Sequence, residues 1–313
     1  MTFPSLPALA SWAWMPIVVW AAFAQTIRNA AQRNLTSRTG TLAATLARFL
    51  YGLPFALCWL LAVVAFGAAP NGLPTVGAAY VGWLCLGALS QLCATALLLM
   101  AMKARNFIVA VTYSKTEVLQ VALFGGVFLH EVPTPLAMAA MLVATLGVVL
   151  LSAPKSAGVD TGEGTGWLNR TALFGIGSGA CFALSAVGFR GAALALPGHS
   201  PWLVGVWNVV WAQALQTVLL GGYLALRQPD ALVAVARAWR LSVVAGMMGA
   251  AASIGWFTAS AMRPAADVRT LGLVEVLFSY LISRRVFREP LHASERLGLA
   301  LVLVGLVVVC AQL

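Results

Sequence analysis

Charged residues are scarce in this sequence: Asp, Glu, Lys and Arg make up only 9% of its 313 residues. A soluble domain carries roughly 25% charged residues, so the shortage excludes a protein that folds mainly against water. Hydrophobic residues make up 61% of the chain. The net charge of +10 does not indicate nucleic-acid binding, because the basic residues fall singly or in pairs between apolar runs, as membrane-protein loop residues do. The composition favours a protein embedded in a lipid bilayer.

Residues that carry enzyme or metal chemistry are also few. The five cysteines lie inside apolar runs without a CxxC pair, so we interpret them as packing residues rather than disulfide or metal ligands. The three histidines fall in predicted loops, and no His, Cys and Asp cluster has metal-site spacing. The chain has no GxxxxGK[ST] loop for ATP phosphates and no nucleophile beside a base. We therefore expect neither an enzyme nor a bound cofactor or metal.

Ten runs of the sequence have the length and apolar character of a membrane helix, which needs about 20 residues. They cover residues 13–34, 41–66, 75–101, 107–129, 134–153, 171–194, 202–226, 241–262, 266–287 and 293–312. The first run follows an N-terminus without Lys or Arg, so we interpret it as a retained span rather than a signal peptide. The sequence thus predicts an all-α integral membrane protein with ten transmembrane helices.

The two halves of the chain repeat each other at a spacing of 158 residues. This spacing separates Glu117 from Glu275, Glu131 from Glu289, Arg105 from Arg263, Thr112 from Thr270, and Gly147 from Gly305. We therefore predict a first five-helix repeat at 1–153, a polar linker at 154–170 and a second repeat at 171–313. Because five is odd, the second copy enters the membrane inverted, as in many secondary transporters whose site lies between the copies.

The basic residues are unevenly distributed between the predicted loops. Loops after odd-numbered helices hold thirteen, the opposite loops hold Arg263 and Arg269, and the remaining four lie in spans. Cytoplasmic loops of membrane proteins are enriched in Lys and Arg. This distribution predicts an inner-membrane, multi-pass protein with both termini on the non-cytoplasmic side.

The first predicted helix carries a polar stripe. Gln25, Arg28, Asn29 and Gln32 are spaced i, i+3, i+4 and i+7, which places them on one helical face. A charge in the membrane costs roughly 2.5–3.5 kcal/mol on insertion scales, so we expect this face to line a cavity or to meet polar partners. The alternative is that Arg28 extends along the helix to the interface.

A second polar face lies in the fourth predicted helix, at Tyr113, Thr116, Glu117 and Gln120. Lys115 is two residues from Glu117, and such residues do not face each other on a regular helix. We therefore expect Lys115 to reach a neighbouring helix or the substrate instead. Glu117 is open to two interpretations: a structural ion pair with Arg28 or Arg48, or a carboxylate that titrates or binds substrate.

The other candidates follow from the repeat and from further charges in predicted spans. Glu275 occupies the position of Glu117 in the second copy, and Arg48 and Arg190 add positive charge in helices two and six. The candidate cavity lining comprises Gln25, Arg28, Asn29, Arg48, Tyr113, Lys115, Gln120 and Arg190, and the candidate coupling residues are Glu117 and Glu275. The motif at Gly175 and Gly179 and the small residues 246–253 predict close helix packing, and Pro54 predicts a kink.

Each predicted half ends in a similar segment, FLHEVPTPLAMAAMLVATLGVVLLSA at 128–153 and VFREPLHASERLGLALVLVGLVVVCAQL at 286–313. Together with ATLARFLYGLPFA in the second helix and the two five-helix copies, these segments resemble the ten-helix EamA-type branch of the drug/metabolite transporter superfamily. The resemblance implies an exporter or exchanger of small metabolites, often amino acids, driven by ion or substrate gradients. Many relatives are drawn with both termini in the cytoplasm, whereas the basic residues here predict the reverse.

We therefore expect a secondary active transporter, an exporter of a small polar metabolite such as an amino acid or organic anion. Its partners would be the solute, the lipid bilayer and a proton or counter-substrate, and a homodimer is left open. Two alternatives remain: a flippase for a lipid-linked substrate, and a membrane scaffold or subunit that transports nothing.

Overall fold

The computed structural model describes residues 12–104, 107–152, 170–285 and 293–310. The regular secondary structure in these ranges is helical, in fourteen helices. They are α1 Trp14–Thr39, α2 Thr41–Leu50, α3 Gly52–Ala65, α4 Ala78–Ala104, α5 Phe107–Ser114, α6 Glu117–Leu129, α7 Pro135–Ser152, α8 Arg170–Leu194, α9 Pro201–Arg227, α10 Pro229–Arg237, α11 Trp239–Met262, α12 Ala265–Leu271, α13 Val274–Arg285 and α14 Ala293–Cys310. The all-α prediction is confirmed over these ranges. Residues 154–169 of the predicted linker 154–170 lie outside the described residues, as do Arg105, Arg288 and Glu289. The last residue of that predicted linker, Arg170, begins α8.

Five segments are long and apolar enough to cross a membrane: Thr41–Ala65, Ala78–Ala104, Arg170–Leu194, Pro201–Arg227 and Trp239–Met262. Large apolar side chains such as Leu61 and Leu226 are 70% and 85% exposed. Six charged side chains, by contrast, are buried: Arg28, Arg48, Lys115, Glu117, Arg269 and Glu275. This distribution suits a protein whose outer surface faces hydrocarbon rather than water.

Three of the predicted apolar runs each form two helices instead of one. The second run breaks at Tyr51, between α2 and α3. Pro54 has no N–H to donate to the carbonyl of Leu50 four residues earlier, so the predicted distortion near Pro54 is present as a helix break. The fourth and ninth runs break at residues 115–116 and 272–273. The short helix α10 occupies a segment that was predicted to be a loop.

The principal helix pairs join the first half of the chain to the second. Helix α1 packs along α11, α4 along α8, and α7 along α14. Glycines allow the last pair to approach closely: a Cβ at Gly147 would lie 2.6 Å from the carbonyl oxygen of Gly298, and one at Gly305 would lie 2.7 Å from Cβ of Ala144. Backbones in this contact meet with no side chain between them.

The predicted small-residue faces also form close contacts, and they lie against the helix breaks. A Cβ at Gly179 on α8 would lie 2.8 Å from the carbonyl oxygen of Ser114, where α5 ends. On α11, Gly246 contacts the backbone at Tyr51, where α2 ends. The prediction of close packing is confirmed at these glycines.

Candidate functional site

Eight polar or charged side chains form a buried group between the two halves of the chain, which we call the charged cluster. Each is only 1% to 6% exposed. Its members are Gln25, Arg28 and Asn29 of α1, Arg48 of α2, Lys115 in the break before α6, Glu117 of α6, Arg269 of α12 and Glu275 of α13. The cluster contains seven of the ten candidate site residues.

Glu275 lies at the centre of the cluster. Its Oε2 accepts hydrogen bonds from Lys115 Nζ at 2.5 Å and from Gln25 Nε2 at 2.6 Å, and its Oε1 accepts one from Asn29 Nδ2 at 3.0 Å. Gln25 is held in turn by Trp256, whose Nε1 donates to the glutamine Oε1 at 2.9 Å. One carboxylate from the second half thus holds three side chains from the first.

Glu117 pairs with different cations from those that the sequence indicated. Its Oε1 lies 3.4 Å from Lys115 Nζ and 3.7 Å from Arg269 Nη1, and its Oε2 has no hydrogen-bond partner. The prediction that Lys115 does not contact Glu117 is wrong, because the helix is interrupted between them and regular spacing no longer applies. The prediction that Lys115 reaches a neighbouring helix is confirmed by its contact with Glu275.

The helix breaks position both carboxylates. Glu117 is the first residue of α6 and Glu275 the second of α13, where helix dipoles favour negative charge. In the first break, the hydroxyls of Ser114 and Thr116 donate to carbonyls three residues earlier, at 2.7 and 2.9 Å. These bonds satisfy backbone groups that have no water to bind inside a membrane.

Arg269 is a member of the cluster that the sequence analysis missed. It was counted as a loop residue, but it is 6% exposed in α12, and its guanidinium lies 4.7 Å from the centre of the Trp256 ring. A cation over an indole face is attracted by the ring electrons. The signal was present in the sequence, because Arg269 lies inside the apolar run 266–287. Trp256 contacts two cluster members, Gln25 and Arg269.

Arg48 is buried without a carboxylate. Its Nη1 donates to Thr95 Oγ1 at 2.6 Å, its Nη2 donates to Ser253 Oγ at 3.4 Å, and its Nε has no partner. The charged groups that act on it are Arg28 and Arg269, both positive. Among the described residues, no acidic side chain forms an ion pair with Arg48.

Arg28 does not extend to the interface, since it is 1% exposed. Its Nε and Nη2 donate to Asn29 Oδ1 at 3.1 and 2.6 Å, while its Nη1 has no partner. The stripe on α1 is buried as expected, and Gln32 completes it by donating to the carbonyl of Ala44 at 3.0 Å.

The remaining candidates lie outside the cluster. Arg190 was expected to line the same cavity, but it pairs with Glu131 at 2.7 Å and donates to the carbonyl of Ser260 at 2.8 Å. It therefore ties α8 to the turn after α6 and to the end of α11. Tyr113 is partly buried against Gly175, and Gln120 has a buried Oε1 without a hydrogen-bond partner.

The cluster carries an excess of positive charge. Its four cations, Arg28, Arg48, Lys115 and Arg269, face two carboxylates, which leaves two formal positive charges among these side chains. Buried charges without partners are costly to a fold, so this excess is unfavourable unless another group compensates it.

Three clefts with basic walls lie where α1 and α4 end. Their volumes are about 510, 350 and 230 Å³. Their basic lining residues are Arg38 and Arg237 in the first, Lys103 and Arg170 in the second, and Arg33 and Lys103 in the third. The first cleft also contains Asp230. A cleft dominated by one sign of charge concentrates ions of the opposite sign.

An apolar cavity of about 720 Å³ lies between α1, α3 and α11. Aromatic residues Trp20, Phe55 and Trp59 form much of its wall, and Ala250 of α11 also lines it. The preceding residue, Gly249, faces Arg48 and Arg28 on the cluster side. The part of α11 that contains Gly249 and Ala250 therefore lies between this cavity and the charged cluster.

No family model matches the chain, and a search of curated proteins found no match. Among solved structures, 27 chains match. One of them, a protein crystal structure, has a TM-score of 0.62 and 20% sequence identity to this chain. The similarity covers 94% of this chain and 96% of the crystallised chain. This similarity shows that the chain shares its fold with a crystallised protein along nearly its whole length.

Proposed function

We propose that the chain is a secondary active transporter that exports a small polar metabolite, such as an amino acid or organic anion. The observation that carries the proposal is the charged cluster, in which Glu275 of one half holds Gln25, Asn29 and Lys115 of the other. Ionisable groups buried inside a membrane are expensive and typically mark solute or ion pathways.

The packing of the helices supports two inverted five-helix copies. If the first run corresponds to the sixth and the third to the eighth, the contact of α1 with α11 is the counterpart of that between α4 and α8. The contact of α7 with α14 joins the fifth run to the tenth, and exchanging the two copies leaves this contact unchanged. The breaks at 115–116 and 272–273 also fall at nearly equivalent positions. Broken helices near a mid-membrane site are characteristic of inverted-repeat transporters.

The mechanism that we propose uses the two carboxylates to couple movement to a gradient. In this conformation Glu275 fastens α13 to α1, while one oxygen of Glu117 lacks a partner. A proton or counter-substrate that neutralises Glu275 releases Lys115 to Glu117 and loosens the contact between the halves. The cluster then opens to the other side of the membrane, as alternating access requires.

The proposed orientation places the basic clefts in the cytoplasm and both termini outside, in the inner membrane of the cell. The cytoplasmic solute would enter past the basic residues of the clefts. Arg190 and Glu131 would close the opposite end, because they join α8 to the turn after α6. Neutralisation of the cluster would then be followed by release of this outer pair.

A transport screen in proteoliposomes tests the proposal. Amino acids and organic anions are offered to the wild type, to Glu117→Gln and to Asp230→Asn under an imposed pH gradient. Asp230 is an exposed acid of α10. It lines the first cleft but lies outside the charged cluster, and Asp230→Asn leaves the basic residues of that cleft in place, so it serves as the control for loss of a carboxylate. We expect gradient-driven accumulation by the wild type and by Asp230→Asn, and its loss in Glu117→Gln despite normal insertion. Unchanged transport by Glu117→Gln would remove its coupling role. No transport of any solute by the wild type would refute the transporter and leave a flippase or a scaffold.

The apolar cavity favours a second candidate, a flippase for a lipid-linked substrate. Such a protein needs an apolar opening towards the bilayer, and the cavity between α1, α3 and α11 has an apolar, aromatic wall. Exchange of a fluorescent lipid between leaflets, measured in the same vesicles, distinguishes the two functions. Lipid exchange without solute transport would favour the flippase.

A further inference from the structure

We propose that Arg48 and Arg28 together bind the acidic group of the transported solute, and that this solute is a small dianion with carboxylate or phosphate oxygens. The inference rests on the proposed transport function and names the substrate class of the same site. It starts from the charges inside the cluster that no protein group balances.

The balance of charges singles out these two arginines. Lys115 is balanced by Glu275 and Glu117, and Arg269 lies beside Glu117 and over Trp256. Arg48 has only hydroxyl acceptors, and Arg28 donates to the neutral amide of Asn29. Arg48 and Arg28 are therefore the two cluster cations without an ion pair, although Glu275 attracts Arg28 from beyond ion-pair distance. A dianion would neutralise them, a monoanion would balance half of the excess, and a zwitterion would balance none.

The two arginines lie side by side over one glycine. A Cβ at Gly249 would lie 3.0 Å from Cγ of Arg48 and 3.4 Å from Cδ of Arg28. Each guanidinium also keeps a buried nitrogen without a partner, Nε in Arg48 and Nη1 in Arg28. Guanidinium groups offer paired N–H donors that match carboxylate and phosphate oxygens. An oxyanion would accept these donors and relieve the repulsion between the two cations.

Gln213 supplies a neutral group for the rest of the solute. It is 2% exposed on α9, and neither atom of its amide has a hydrogen-bond partner. Its amide lies beside Gly52, with Oε1 3.0 Å from the position that a Cβ would take there. Gly52 is the first residue of α3 and follows Arg48 by four residues across the break at Tyr51. Buried amides without partners are rare in folded proteins, which makes Gln213 a positioning residue for a polar part of the solute.

The basic clefts fit the same substrate class. Arg33 follows Arg28 by five residues on α1 and lines the cleft shared with Lys103. Positive walls at the mouth of the protein raise the local concentration of anions. The clefts and the cluster would therefore select the same sign of charge at successive depths.

Binding to purified full-length protein in detergent tests the inference without requiring transport. Succinate, glycerol 3-phosphate, acetate and alanine are titrated by calorimetry, and the melting temperature is followed alongside. We expect the two dianions to bind at least tenfold more tightly than acetate, with alanine weaker still. Equal affinity for alanine and the dianions would overturn the inference.

Two variants locate the site. Arg48→Gln removes one of the two charges in excess, so we expect at least tenfold weaker dianion binding together with an unchanged or higher melting temperature without ligand. Arg240→Gln, at an exposed arginine of α11, controls for the lost charge. A merely structural Arg48 would give the opposite pattern, with a lower melting temperature and dianion affinity retained within twofold.

Gly249→Ala keeps every charge but displaces the stem of Arg48, whose Cγ would lie 3.0 Å from the new Cβ. This variant tests the site even where Arg48→Gln does not fold. We expect weakened dianion binding in this variant and wild-type binding in Gly222→Ala, because no atom lies within 4 Å of a Cβ at Gly222. Unchanged binding in Gly249→Ala would count against the site. Dianion binding without vesicle transport would refute the proposed function alone, and transport confined to neutral solutes would refute this inference alone.

Discussion

Replacing Glu275 with glutamine alters the central acceptor of the charged cluster while nearly preserving its shape. The wild-type carboxylate accepts three hydrogen bonds, from Lys115, Gln25 and Asn29. A glutamine amide keeps one acceptor oxygen and presents an NH₂ group in place of the other. The NH₂ group faces either Asn29 or the donors Lys115 and Gln25, so at least one of these hydrogen bonds is lost in either orientation.

The magnitude follows from the kind of contact that is broken. A hydrogen bond to a charged group contributes about 1.5–3 kcal/mol, and removing one partner of a buried ion pair costs about 3–5 kcal/mol. Lys115 keeps Glu117 at 3.4 Å as a second carboxylate, which offsets part of the loss. We therefore expect Glu275→Gln to lower the free energy of unfolding by about 2–4 kcal/mol.

Thermal unfolding in detergent, followed by near-ultraviolet circular dichroism, measures this loss. The matched comparison is the double variant Lys115→Met with Glu275→Gln, which removes both charges of the pair. Because directly contacting residues have coupling energies of about 0.5–3 kcal/mol, the double variant should be less destabilised than the sum of the single variants. A loss below about 1 kcal/mol in Glu275→Gln, together with additive effects, would refute the central place given to this pair.

Two further predictions concern packing and positioning. Gly147→Leu is expected to lower the unfolding temperature strongly, because overpacking a close contact costs about 1–3 kcal/mol. The control Gly126→Ala should change the unfolding temperature little, because a Cβ there would lie at ordinary contact distance from its neighbour. Trp256→Phe removes the indole N–H that donates a hydrogen bond to Gln25 at 2.9 Å. We therefore expect a loss of about 0.5–1.5 kcal/mol of stability and reduced transport. Trp239→Phe, at an exposed tryptophan, serves as control. Equal effects of each variant and its control would contradict these contacts.

Helical periodicity predicted the site best where the helix is regular. The stripe on α1 lies within an unbroken helix, Trp14–Thr39, so the spacing of Gln25, Arg28 and Asn29 correctly predicted one buried face. The same rule failed at residues 113–120, because the break after Ser114 changes the direction in which Lys115 and Glu117 project.

Contacts between the halves could not be derived from the pattern of either half. Glu275 is 250 residues from Gln25 and 246 from Asn29. The spacing of residues within one apolar run does not predict which other run that helix packs against. The same limit applies to Arg190: its charge was evident, but its pairing with Glu131 depends on where the turn after α6 packs. Arg269 was missed for a simpler reason: it was counted among the loop residues, although it lies inside the predicted apolar run 266–287.

The measurement that tests the central claim most directly is the reactivity of position 116, in the helix break beside Glu117. In a variant without its five cysteines, Thr116→Cys is exposed to a water-soluble thiol reagent in vesicles of each orientation. Cysteines at two exposed positions serve as controls. Ser37, at the end of α1, is expected to react from one side, and Leu123, which we expect to face lipid, is expected not to react. Alternating access predicts reaction at position 116 from both sides, slowed by the transported solute. Reaction from neither side, with the controls behaving as expected, would mean a dry bundle and would contradict the transporter account.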